Sequence, residues 1–254
     1  MSTHDAAVEH LKRADPTLAR LIERVGPCRL EPRAEGTHFD AVVRAIVYQQ
    51  LSGKAASTIL GRVLSLYGNR YPTPKELLDT SDERLRSVGL SRQKIGYLRD
   101  LSGRALSNAL PVDTLHELDD DQLLAALTGV KGVGRWTAQM FMMFRLGRPN
   151  VLPDQDLGVR KAIQHTYRLR ALPDGKRIAR IGETWHPFCS VASWYLWRSL
   201  ELEGAPGPAR RAAAKPWPSR SSAKPASAKR KRTAKAKRRP RAKAKRAARS
   251  RRSR

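Results

Sequence analysis

Between Asp5 and Glu201 the chain repeats one pattern: stretches with apolar residues three and four apart, broken by Gly, Pro, Asp or Ser. Nowhere are two alternating apolar–polar runs joined by a short turn. Spacing of three and four lines up one face of an α-helix, whereas a half-buried strand needs period two. The sequence therefore predicts an all-α fold. The spacing predicts helices over about 5–14, 17–25, 39–51, 54–68, 74–79, 82–88, 92–108, 120–127, 135–146, 156–167, 175–184 and 188–202. Pro16, Pro72, Pro111, Pro149, Pro153 and Pro173 all fall between these stretches, where a missing N–H and a rigid ring break no helix.

Charge divides the chain. Of its 254 residues, the stretch from Ala205 to Arg254 holds 21 Lys and Arg and no Asp or Glu, leaving 29 of the 50 basic residues against 23 acidic ones before it. The body carries about +6 of the formal +27. The last fifty residues are almost entirely Ala, Lys, Arg, Pro and Ser, with one Trp, one Gly and one Thr, too poor in apolar groups to offset the entropy of ordering, so the sequence predicts a disordered tail at 205–254 after a folded domain at 1–204. Such a run of cations binds polyanions by counterion release, without sequence preference.

Cys28 and Cys189 stand apart with no CxxC spacing, which suggests neither a disulfide framework nor a thiolate metal site. The start of the chain is charged, with no apolar signal core, and no run of 18 apolar residues occurs. An intracellular, reducing setting is expected, with no membrane partner.

The most informative stretch is Leu127-Thr128-Gly129-Val130-Lys131-Gly132-Val133-Gly134-Arg135-Trp136-Thr137-Ala138. Two glycines flank one valine just before a helical pattern begins. Gly132 and Gly134 allow close backbone approach and positive φ, Val133 can enter the core, and the free N–H groups of the next helix, with Arg135 and Thr137 in its first turn, can face a phosphate. Such a turn grips DNA without reading its sequence.

These residues resemble the hairpin of the helix-hairpin-helix (HhH-GPD) DNA glycosylase superfamily, in particular the bacterial 3-methyladenine DNA glycosylase II branch. The hairpin of that family reads L-P-G-V-G-x-x-T-A, with Lys131 here in place of its Pro. The resemblance runs from about His38 to Glu201 through Ala45-Ile46-Val47-Tyr48-Gln49-Gln50-Leu51-Ser52, Gly89-Leu90-Ser91-Arg92-Gln93-Lys94, the hairpin, and Leu152-Pro153-Asp154-Gln155-Asp156-Leu157-Gly158-Val159-Arg160-Lys161. It implies a two-lobed helical domain with a DNA cleft between the lobes. Longer members of the branch add an N-terminal α/β domain; this chain has only a short helical lead-in.

Breaking a nucleoside's glycosidic bond leaves positive charge on the sugar, which an ionised carboxylate near C1′ stabilises while orienting water. The resemblance places the catalytic Asp at Asp156, which by position alone reads as an ordinary helix N-cap. Asp154 is the second candidate, otherwise a turn or cap residue. At the hairpin position where strand-cutting relatives such as endonuclease III carry a Schiff-base Lys, this chain has Trp136. An indole cannot attack C1′, so the nucleophile is water and the product an abasic site. Two scattered cysteines also cannot hold the iron–sulfur cluster of those relatives.

An N3- or N7-alkylated purine is cationic, so aromatic walls are expected in its pocket. The resemblance implies Trp136 and Trp197, with Tyr48 beside them; helical periodicity puts Trp197 roughly opposite the apolar face of Phe188, Val191, Ala192, Tyr195 and Ser199. In the helix from Phe39 the apolar stripe would continue to Gln49 and Gln50, where amides need partners. They either cap a loop or, as the family's Q-Q-x-S implies, fill the hole left by an extruded base, with Gln50 and Leu51 the wedge. Lys94 and Arg92, near a helix start, are read as phosphate contacts or else as a solvated basic face.

The sequence thus predicts a monofunctional glycosylase that excises alkylated purines from double-stranded DNA, monomeric, without cofactor or catalytic metal, in the bacterial cytoplasm with the nucleoid. The resemblance allows an alkali ion at the hairpin carbonyls, which nothing in the sequence demands. Two other readings stand beside it: a glycosylase for deaminated bases such as uracil or hypoxanthine, and a non-enzymatic nucleoid-associated protein.

Overall fold

Residues 4–202 are described by the structure, a computed structural model; the predicted tail at 205–254 lies outside them. Among the described residues there are helices and no strands. The helices are α1 (Asp5–Ala14), α2 (Pro16–Val25), α3 (His38–Tyr48), α4 (Gly53–Ser65), α5 (Pro74–Asp79), α6 (Asp82–Ser87), α7 (Arg92–Leu106), α8 (Asp120–Thr128), α9 (Arg135–Phe144), α10 (Leu157–Thr166), α11 (Gly175–Gly182) and α12 (Cys189–Leu202), with one 3-10 turn at Glu183–Trp185.

Most helices start where a short polar side chain satisfies their first free N–H groups. Thr37, Thr73 and Asp119 form reciprocal capping boxes with Asp40, Glu76 and Gln122, and Ser52, Ser91, Asp156 and Asp174 cap α4, α7, α10 and α11. Several predicted helices run too long, α3 and α4 the most. Helix α3 stops at Tyr48 rather than 51, and α4 at Ser65 rather than 68, because Gln50 and Gly68 take left-handed backbone angles that no right-handed helix can continue through.

The helices pack as two groups. Helices α3 to α9 form one lobe, with α3 against α4, α7 and α9, α5 and α6 on α7, and α8 on α9. Helices α1 and α2 cross over to join α10, α11 and α12. The helical lead-in is therefore part of the second lobe. Its anchor is Asp15, a buried carboxylate whose Oδ1 caps α2 through Thr17 and Leu18 while Oδ2 accepts from Tyr167 at 2.5 Å and from the Trp185 indole at 3.0 Å. Burial and this carboxylate together push the Tyr167 phenol far above its ordinary range, keeping it a donor.

Candidate active site and DNA interface

The turn between α8 and α9 is held from inside by Val130 and Val133, both buried. Gly132 has φ +79, and a Cβ there would fall 2.2 Å from the Tyr97 ring, so the position needs glycine twice over. Gly134, expected to share that freedom, instead has φ −85 and serves as the N-cap of α9 without a side-chain acceptor. The first N–H groups of α9 consequently have no capping partner, and with nothing within 4 Å of where a Gly134 Cβ would be, they are open to an approaching phosphate. Arg135 is exposed beside them, and Thr137 is half-buried one residue beyond Trp136.

Asp100, which motif reading missed, and Gln49 brace this turn. Asp100 on α7 accepts from the Lys131 N–H at 2.9 Å and from Arg104 at 2.9 Å. Burial pushes its carboxyl up, but these donors outweigh that and hold it below the ordinary range. Gln49, just past α3, donates from its amide to the Gly132 carbonyl at 2.7 Å. The two glutamines thus divide the readings left open for them: Gln49 binds a loop, whereas Gln50 is exposed at φ 56. Leu51 beside it is half-buried. The hairpin carbonyls of Leu127, Val130 and Gly132 each accept a hydrogen bond from within the protein, so none requires an ion.

One donor of the Lys94 ammonium is engaged within the protein. The ammonium donates to the Val47 carbonyl at 2.8 Å, satisfying one of the acceptors that the end of α3 leaves without a helical partner. Lys94 thus supports the turn carrying Gln50 and Leu51. Partial burial lowers its pKa from the usual lysine value.

Asp156 takes the N-cap position and also faces two indoles. It caps α10, with Oδ1 accepting from the Val159 N–H at 2.8 Å. The same Oδ1 accepts from the Trp197 indole at 2.9 Å, and Oδ2 accepts from the Trp136 indole at 2.7 Å. The carboxylate is only 6% exposed, while Trp136 is 43% exposed. Gly158 makes this convergence possible, since a Cβ there would lie 2.9 Å from Asp156 Oδ1 and 3.1 Å from the Trp197 ring. The loop ahead of Asp156 is fixed by Gln139, a buried amide one turn along α9 from Trp136, which donates to the Leu152 carbonyl at 3.0 Å. No spacing rule in the sequence singled out Gln139.

Trp197 corrects the reading of α12. It is completely buried and stacks on Phe144 with ring centroids 5.7 Å apart. Helix α12 is packed by α1, α2 and α10, so it has no solvent face on which an indole could stand clear of the core. In this structure Trp197 positions the carboxylate instead of lining an open wall. Tyr48 is half-buried at the end of α3, with the Arg44 guanidinium 4.0 Å above its ring. Asp154 sits two residues before Asp156, its carboxylate 3.8 Å from Arg135.

A glycine-valine-glycine hairpin with free helix N–H groups, joined through Trp136 to a buried carboxylate, defines a helix-hairpin-helix DNA-acting protein with a carboxylate-centred site. Residues 43–187 match the HhH-GPD superfamily of base excision DNA repair proteins, and the chain belongs to that superfamily. A solved DNA-3-methyladenine glycosidase from Bacillus halodurans is 36% identical with a TM-score of 0.73, covering 80% of this chain and 93% of its own. The 3-methyladenine DNA glycosylase of Schizosaccharomyces pombe, solved in complex with abasic DNA, is 33% identical with a TM-score of 0.68, covering 78% and 97%. DNA-3-methyladenine glycosylase 2 of Escherichia coli is 28% identical over 185 residues, 68% of this chain and 62% of that one.

Proposed function

We propose that this protein excises alkylated purines from double-stranded DNA by hydrolysing the N-glycosidic bond, as a monomer and without cutting the strand, in the bacterial cytoplasm where the nucleoid lies. The observation that carries this reading is the Asp156 carboxylate, hydrogen-bonded to two indoles and a helix N-terminus, beside a hairpin able to hold a DNA backbone. The relatives named as 3-methyladenine glycosylases support the choice of lesion.

The chemistry follows from charge. When the bond breaks, its electron pair leaves with the base, and an N3- or N7-alkylated purine departs neutral because it began cationic. No acid is needed for such a leaving group. The sugar becomes an oxocarbenium-like cation, which the Asp156 carboxylate stabilises from a fixed position. Water adds its oxygen to C1′ and gives up a proton, leaving an abasic site. The exposed indole face of Trp136, electron-rich and held by its N–H, suits a cationic base.

The test is single-turnover excision from duplexes carrying methylated, deaminated or oxidised bases. Alkylated purines are expected to be released, leaving intact strands and no borohydride-trapped adduct. Preferential release of uracil or hypoxanthine would favour the deaminated-base reading. Tight binding with no release of any base would favour a purely DNA-binding protein.

A further inference from the structure

The body's positive charge is concentrated in one place. Residues 160–180 hold seven Lys and Arg and a single Asp, a net +6, which equals the net charge of the whole of residues 1–204. The remainder of the body therefore sums to zero. Lys161, Arg168, Arg170, Lys176, Arg177 and Arg180 are all exposed, and none has a carboxylate within 4 Å among the described residues. The one acid, Asp174, is committed to capping α11 through the Arg177 N–H at 2.8 Å.

The fold aims this charge. On α11, Ile178 and Gly182 are buried, which turns Lys176, Arg177 and Arg180 outward on the opposite face. The start of α11 is linked to the hairpin through one residue, Asp154. Asp154, 3.8 Å from Arg135 in the first turn of α9, lies so close over Gly175 that a Cβ there would be 2.9 Å from its Oδ2. An open depression of about 500 Å³ runs between Asp154, Asp174, Gly175, Lys176 and Ala179. Cations thus stand on both sides of this depression, Arg135 at the start of α9 and Lys176, Arg177 and Arg180 on α11, with the carboxylates of Asp154, beside Arg135, and Asp174, at the α11 N-cap, between them.

We infer that the outer face of α11 is a second DNA-backbone surface, which takes the duplex as it leaves the hairpin and lengthens the grip on one side of the lesion. The inference rests on the hairpin being the primary DNA contact. Phosphates are the partner that this chemistry fits: unpaired, exposed, spaced cations without aromatic or apolar anchors bind a regular polyanion, and they do so without reading bases.

The test uses the full chain. Lys176→Gln, Arg177→Gln and Arg180→Gln are combined, and affinity for an undamaged duplex is measured across a salt series beside the wild type. A second triple variant, Arg13→Gln, Arg20→Gln and Arg24→Gln, removes the same charge from exposed positions on α1 and α2. The α11 variant is expected to lower the slope of log affinity against log salt by about 2–3, at roughly 0.9 per lost phosphate contact. It is also expected to shorten the hydroxyl-radical footprint on one side of the lesion and to leave single-turnover excision at saturating enzyme unchanged. The α1–α2 variant should match the wild type. An unchanged slope, or an equal fall in both variants, overturns the inference. A wild type that binds DNA through α11 yet releases no base would refute the proposed activity while leaving this surface standing.

Discussion

The Trp136 indole N–H ends 2.7 Å from Asp156 Oδ2, so an exposed aromatic ring and a nearly buried carboxylate form one hydrogen-bonded unit. In the proposed chemistry, a base stacked on that ring is brought to the carboxylate set against its sugar. This coupling separates the roles of charge, orientation and fold, and each can be tested alone.

Asp156→Asn removes the charge but keeps a side chain that caps helices about as well as Asp. Single-turnover excision is expected to fall at least about 100-fold, while the thermal midpoint and affinity for lesion-containing duplex stay near wild type. Comparable turnover by the Asn variant would take Asp156 out of the chemistry.

The two indoles should respond differently to replacement by Phe. Trp136→Phe strips Oδ2 of its protein donor at an exposed ring, so the rate falls with little change in stability. Trp197→Phe deprives a buried carboxylate of a donor in the core and is expected to cost about 1–3 kcal/mol of stability. Thermal unfolding alongside single-turnover kinetics reads both; an unshifted midpoint for Trp197→Phe would contradict the buried bond.

Gly132 and Gly134 are two residues apart and should fail in opposite ways. Gly132→Ala places a Cβ at φ +79 against the Tyr97 ring, costing about 2–4 kcal/mol in strain and overpacking. Gly134→Ala has room and an ordinary φ, so stability should hold while the added methyl keeps a phosphate off the α9 N–H groups and weakens DNA binding. Calorimetry and binding isotherms on the pair distinguish the two effects.

Gln50 sits in a left-handed conformation that costs a non-glycine residue of the order of 1 kcal/mol. Gln50→Gly is therefore expected to raise stability by up to about 1 kcal/mol and to slow excision, since nothing remains to fill the space of an extruded base. A variant that is faster as well as more stable would remove Gln50 from the wedge.

Ending the chain at Glu203 removes 21 cations and no residue of any motif described above. Excision at saturating enzyme should be unchanged, while affinity for undamaged DNA falls and its salt dependence flattens. Slower single-turnover excision would bring the tail to the active site.

What the sequence determined by itself is what short-range physics controls. Helix positions follow from apolar spacing over three and four residues, and their starts from Ser, Thr and Asp caps that act within three residues, so twelve helices, the hairpin turn and the N-cap position of Asp156 were all legible. What only the tertiary structure decided depends on partners far apart in the chain. Trp197 meets Asp156 across 41 residues, Lys94 meets Val47 across 47, Gln49 meets Gly132 across 83, and Asp15 meets Trp185 across 170. Periodicity assigns a residue to a face of its own helix but cannot say what covers that face. For α12 the covering was complete, and an indole read as pointing away from the core became the buried donor that holds the carboxylate in place.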